Sequence, residues 1–196
     1  MATIRERFHM STGENVMNLA VVIPMTGDLL STCLKAWEML DKRFSIRNIS
    51  SRSVFPHLTL VAGTVKPSHA LASALNDLQD NVRTQPLISD GLGVFVNDTP
   101  VIYLRWQHRK ELLNLRQIIA KTLESHWVAP HEFCDPQRWV AKTTIGALDT
   151  RYEDLGKILV ALRQFNFSQD MALERLDVLE YNIDGERSFD IASLES

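Results

Sequence analysis

Two short stretches half a chain apart are built alike, and this limits the fold more than any other feature of the sequence. "FPHLTLVAG" (55–63) and "WVAKTTIGAL" (139–148) both read as strands, with β-branched and apolar residues on either side of threonines. His57 and Lys142 hold equivalent places in them, 85 residues apart. Downstream, "LGVFV" from Leu92 and "LDVLE" from Leu176 open two hairpin-like segments 84 residues apart. Two landmarks that keep nearly the same offset point to a duplicated module.

The elements around these landmarks repeat in the same order. "NLAVVIP" (18–24) reads as a strand, and Leu29, Cys33, Trp37 and Leu40 then recur at helical spacing. Residues 46–54 read as a weak strand or connection. Ser68 caps a helix with Leu71, Leu75, Leu78 and Val82 on one face. "LGVFV" and "VIYLRW" flank the turn residues Asn97-Asp98-Thr99-Pro100 as a hairpin. A helix over about 110–124 and a loop rich in Pro, His and Asp lead to Trp139. Thr150 and Glu153 form a capping-box pattern before the helix carrying Leu155, Ile158, Leu159, Leu162 and Phe165. A last hairpin turns at Asp184-Gly185. Each half is therefore strand, helix, hairpin. The expected fold is α+β and bilobed, two pseudo-symmetric modules of mainly antiparallel sheet with flanking helices around a central cleft. Residues 17–196 are expected to form one such domain, and 1–16 a flexible N-terminal arm.

Composition narrows the function. Of 196 residues 45% are hydrophobic, enough for a good core, and 21 Lys plus Arg against 24 Asp plus Glu leave a net charge of −3. With no global basic field, double-stranded DNA is an unexpected partner and any anion site is local. Cys33 and Cys134 form no disulfide framework, which points to a reducing, cytoplasmic setting. The apolar run 19–24 is too short to span a bilayer, so no membrane association is expected. His126, His131 and Cys134 lack a fourth ligand at zinc spacing, Gly91-Leu92-Gly93 is no dinucleotide fingerprint, and there is no phosphate-binding G-x-x-x-x-G-K-[ST] loop. Neither a metal nor a cofactor is expected.

On a strand, residues two apart share a face. His57 and Thr59 then project together while Leu58 and Leu60 enter the core, and Lys142 and Thr144 project together opposite Thr143 and Ile145. If the two strands face each other, an imidazole, an ammonium and two hydroxyls meet in one cleft, a suitable cradle for a phosphate. Phe55, Tyr103 and Trp139 are candidate stacking contacts for a base, and Arg138 a candidate phosphate contact. Core packing competes for each aromatic, and a solvent-facing role at a sheet edge competes for Lys142.

These residues resemble the 2H phosphoesterases, also called the LigT-like or 2′-5′ RNA ligase and cyclic nucleotide phosphodiesterase superfamily, whose members carry two H-x-[ST]-hydrophobic motifs on pseudo-symmetric lobes. His57-Leu58-Thr59-Leu60 matches the first motif, with Phe55 and Pro56 before it. Lys142-Thr143-Thr144-Ile145 matches the second except for the histidine, with Trp139 at the place of a preceding aromatic. The resemblance implies a metal-independent phosphodiesterase acting on a nucleotide or an RNA-end phosphodiester, 2′,3′-cyclic or 2′-5′-linked. It implies His57 as general base, Thr59 and Thr144 as phosphate ligands, and Lys142 as a phosphate-stabilising cation in place of the second catalytic imidazole. The same departure leaves open a nucleotide-binding protein without turnover, or an interaction module with a vestigial cleft.

Overall fold

In the computed structural model, which describes residues 15–194, the chain runs β1 (Met17–Pro24), α1 (Gly27–Phe44), β2 (His57–Val65), α2 (His69–Asp80), β3 (Gln85–Phe95), β4 (Val101–Trp106), α3 (Lys110–Thr122), β5 (Trp127–Pro130), β6 (Lys142–Gly146), α4 (Tyr152–Leu162), β7 (Asp170–Leu173), β8 (Asp177–Asn182) and β9 (Gly185–Ser188). The N-terminal arm expected over 1–16 lies outside the described residues except for positions 15 and 16. Two antiparallel sheets form, ordered β5-β2-β1-β8-β9 and β6-β4-β3-β7. The α+β class and the strand–helix–hairpin order of each half are as the sequence indicates.

The halves are interlocked. The second motif strand, β6, pairs with β4 from the hairpin of the first half. The hairpin of the second half, β8–β9, joins the sheet of the first motif strand through β1. Helices cross in the same sense: α1 packs on β6 and β7, α3 on β2. One hydrophobic cluster consequently runs from Leu19 to Leu194, including Leu58, Leu60, Leu104, Trp106 and Ile145.

Both motif strands carry an irregularity at the same motif position. In β2, Thr59 lies opposite Val22 and Val61 opposite Val21, so Leu60 is the extra residue. In β6, Thr144 lies opposite Tyr103 and Gly146 opposite Ile102, so Ile145 is the extra residue. A bulge of this kind re-aims the strand and shifts its alternation by one. The hydrophobic fourth residue of each motif drops into the core, where Leu60 and Ile145 are 0% and 1% exposed. Beyond it Ala62 and Ala147, rather than Val61 and Gly146, face the same side as the motif threonines.

Several local expectations are corrected. Of the two readings of residues 46–54, the connection holds and the weak strand does not: they form turns and bends, and the Asp149 carboxylate accepts from the backbone N–H groups of Arg47 (2.8 Å) and Asn48 (2.7 Å). The capping box at Thr150 does not form. Arg151 is the N-cap of α4, while Thr150 is buried with its hydroxyl unpaired, packed toward Gly146. Strands β5 and β7 and the first half of β3 escaped the pattern reading, the first two being only four residues long. Ser68 does cap α2, its hydroxyl accepting from Leu71 N–H at 3.2 Å.

The core side of β6 is pinned by the indole N–H of Trp106, which donates to the Thr143 hydroxyl at 3.0 Å with both residues 1% exposed. Thr143→Val keeps the volume but orphans that N–H. We expect it to cost about 1–3 kcal/mol, read as a lowered midpoint in urea denaturation.

Candidate functional site

His57 opens β2 and Lys142 opens β6, so each side chain leaves its sheet where the strand enters. With Thr59 and Thr144 they line one cleft of about 620 Å³, and all four also line an adjoining cavity of about 230 Å³. The floor on the first sheet is small and apolar, formed by Ala20, Ala62 and Leu179. Phe95, Val101, Phe133 and Leu148 supply apolar walls.

The first motif is oriented. The ring Nδ1 of His57 lies 2.9 Å from the Phe55 carbonyl oxygen, which can only accept, so Nδ1 carries hydrogen and a neutral ring keeps its lone pair on Nε2. Nε2 points at Glu186, 3.7 Å from Oε1, with the histidine side chain 11% and the glutamate 25% exposed. The Ser53 hydroxyl donates to the other carboxylate oxygen at 2.7 Å.

In the second motif the ammonium of Lys142 donates to Thr144 Oγ1 at 3.0 Å and pairs with no carboxylate among the described residues. It is turned into the cleft and does not serve as a solvated edge lysine. Burial pushes its pKa below the ordinary lysine range, against a smaller opposing influence from Cys134. Burial likewise lowers the His131 imidazole, raises the Cys134 thiol, and pushes the Tyr181 phenol up to about 12. The thiol and phenol therefore stay protonated at neutral pH and present hydrogen, not charge, to the cleft.

The remaining sequence candidates are dispersed. Trp139 lines the cleft, but its indole N–H donates to the Thr59 carbonyl at 3.0 Å, and its ring is held between His108, stacked at 5.8 Å, and the Arg116 guanidinium at 4.7 Å. It joins the segment before β6 to β2. Arg138 lies at the rim, 62% exposed and paired with Glu132 at 3.1 Å. Phe55 lines only the smaller cavity, edge-on to His57. Tyr103 lines neither cavity; it covers Gly93 and stacks on Phe95 at 4.3 Å. Among the described residues no three His, Cys, Asp or Glu side chains cluster to hold a metal ion, and no helix is long and apolar enough to cross a membrane.

Sequence reasoning missed Glu186, Tyr181 and the cleft positions of His131 and Cys134. Glu186 follows the Asp184-Gly185 turn, and Tyr181 alternates with Leu179 on β8, so each had a local signal for orientation. Neither had a signal for its partner, because β8–β9 belongs to the other half's hairpin.

A family model described as the 2′-5′ RNA ligase superfamily matches residues 35–185. The fold is similar to a crystal structure of a phosphoesterase, at TM-score 0.51 and 14% identity over 88% of this chain and 93% of that one. It is similar to Escherichia coli LigT complexed with NADP+, at TM-score 0.50 and 15% identity over 88% and 94%. No curated protein matches the sequence.

An ammonium desolvated without a counter-ion should weaken the fold it sits in. Its depressed pKa means that the unfolded chain holds the proton more tightly, so the penalty is full below the folded pKa and fades as pH rises to about 10.4. Lys142→Met should raise stability by on the order of 1 kcal/mol at pH 7 and by little above pH ~10.4. Denaturant melts at the two pH values check this.

Proposed function

The chain belongs to the 2′-5′ RNA ligase superfamily, and from that premise we propose that its cleft binds and cleaves a small nucleotide or RNA-end phosphodiester, 2′,3′-cyclic or 2′-5′-linked. The observation that carries this reading is the convergence of His57, Thr59, Lys142 and Thr144 on one cleft, from strands half a chain apart. The bound NADP+ of E. coli LigT supports a nucleotide as the kind of ligand this fold receives.

In-line displacement at phosphorus needs a proton removed from the entering oxygen and one supplied to the departing oxygen. His57 is the base: Nδ1 is committed to the Phe55 carbonyl, leaving Nε2 to take the proton of water or a ribose hydroxyl. Thr59 and Thr144 donate to nonbridging oxygens. Lys142 neutralises the charge that grows on them. A lysine of ordinary pKa, roughly 10.4, is a sluggish acid beside an imidazole at about 6.5. Burial brings this one closer to working pH, so it contributes as acid as well as cation. Bound phosphate favours the ammonium, so the ligand itself holds the lysine in its charged form.

The lysine in the second motif also favours one alternative, a protein that binds the phosphodiester without turning it over. Kinetics separate the two. An enzyme should hydrolyse at least one member of a panel of 2′,3′-cyclic and 2′-5′-linked nucleotides, lose about 10²- to 10⁴-fold in rate in His57→Ala, and gain in Lys142→His. Calorimetric binding that weakens in Lys142→Ala, with no product from wild type or Lys142→His, would establish the binder. Neither binding nor product would overturn the phosphate-site reading.

A further inference from the structure

Among the described residues, the charges lining the cleft are few. Lys142 is one fixed cation. Arg138, the other, stands at the exposed rim already paired with Glu132. His57 and His131 are the titratable imidazoles, and Thr59, Thr144, Asn97, Cys134 and Tyr181 supply neutral polar groups. Against these stands one carboxylate, Glu186, which lines both the main cleft and the smaller cavity. A cleft built for a highly charged phosphate would not place an anion beside its base.

Glu186 is not there by accident of a loose surface hairpin. The preceding Gly185 has φ +143, and a Cβ on it would lie 2.7 Å from the Arg52 carbonyl oxygen, so only glycine lets β9 lie this close to 52–53. The Glu186 backbone N–H donates to that same carbonyl at 2.7 Å, and Arg52 Nη1 donates to the Ile183 carbonyl at 3.0 Å. The Ser53 hydroxyl then fixes one carboxylate oxygen and leaves the other, Oε1, 3.7 Å from His57 Nε2. Four contacts thus aim a negative charge at the nitrogen that faces the substrate.

Resting on the phosphodiester reading above, we infer that Glu186 is the specificity-determining residue of the cleft: its carboxylate admits a phosphate bearing one negative charge and rejects one bearing two. A diester is a monoanion and balances Lys142 with Glu186 as a near neighbour. A terminal monoester, with a second pKa of about 6, is a dianion at pH 8 and brings its extra charge against the carboxylate. The filter would admit a diester and disfavour retention of a terminal monoester product. It also leaves polyphosphates with too little positive charge to meet them.

The test compares a nucleoside 5′-monophosphate with its O-methyl phosphate ester, which keeps base and sugar and removes one charge. Titration calorimetry at pH 8 should show wild type binding the methyl ester about tenfold or more tightly than the monophosphate. Glu186→Gln keeps an acceptor for the Ser53 hydroxyl and removes the charge. It should close most of that gap by tightening the monophosphate, with an unchanged melting temperature confirming the fold. A wild type that does not discriminate, or a gap that persists in Glu186→Gln, overturns this inference and leaves the phosphate site standing. Failure of both proteins to bind either ligand overturns the site itself, and this inference with it.

Discussion

A strand side chain can face only two ways, and the site depends on how this chain handles that constraint. Leu58 and Leu60, like Thr143 and Ile145, must be buried to hold the sheets together, which sends His57, Thr59, Lys142 and Thr144 to the other face. Strict alternation would then carry Val61 and Gly146 into the cleft. The extra residue at Leu60 and at Ile145 shifts the phase, so that small alanines, Ala62 and Ala147, floor the cleft instead. The fourth motif position is apolar because it is the bulged residue, pressed into the core beneath the threonine. The motif is thus a packing device as well as a source of cleft side chains.

The cleft that results is poor in charge. Its walls are mostly apolar, its thiol and phenol stay protonated, and its one interior cation is desolvated. In such a setting each charge acts over a longer effective range than it would in water. Lys142 therefore matters to this cleft through its charge.

Much of the fold was legible because its signals are local. Hydrophobic spacing marked α1 through Leu29, Cys33, Trp37 and Leu40, all of them buried, and the constant offset between halves exposed the duplication. The four motif residues were legible for the same reason: strand alternation alone puts each pair on one face. What failed were features that depend on a distant partner. Thr150 matches a capping box, yet it is buried beside Gly146 with its hydroxyl unpaired, and Arg151 is the N-cap. Residues 46–54 have strand-like composition, yet a carboxylate a hundred positions away, Asp149, takes their N–H groups. Trp139 reads as a stacking platform, and its packing against Arg116 and His108 and its bond to the Thr59 carbonyl had no local signal.

Glu186 belongs to that second class, and its case shows why the interlocked topology matters for function. The first motif lies in the first half of the chain, but the sheet that carries it is completed by β8 and β9 from the second. His57 consequently meets its neighbouring carboxylate only when the two halves have exchanged hairpins. A lone module would possess an oriented histidine with no charge beside it, and a second motif strand without the β4 partner that sets its bulge. His57, Lys142 and Glu186 thus line one cleft only in the assembled chain. The two motif strands are built alike, and the crossed pairing of the hairpins makes their environments unequal. That inequality gives the two motif positions different neighbours, the Glu186 carboxylate near His57 and the Thr144 hydroxyl against Lys142.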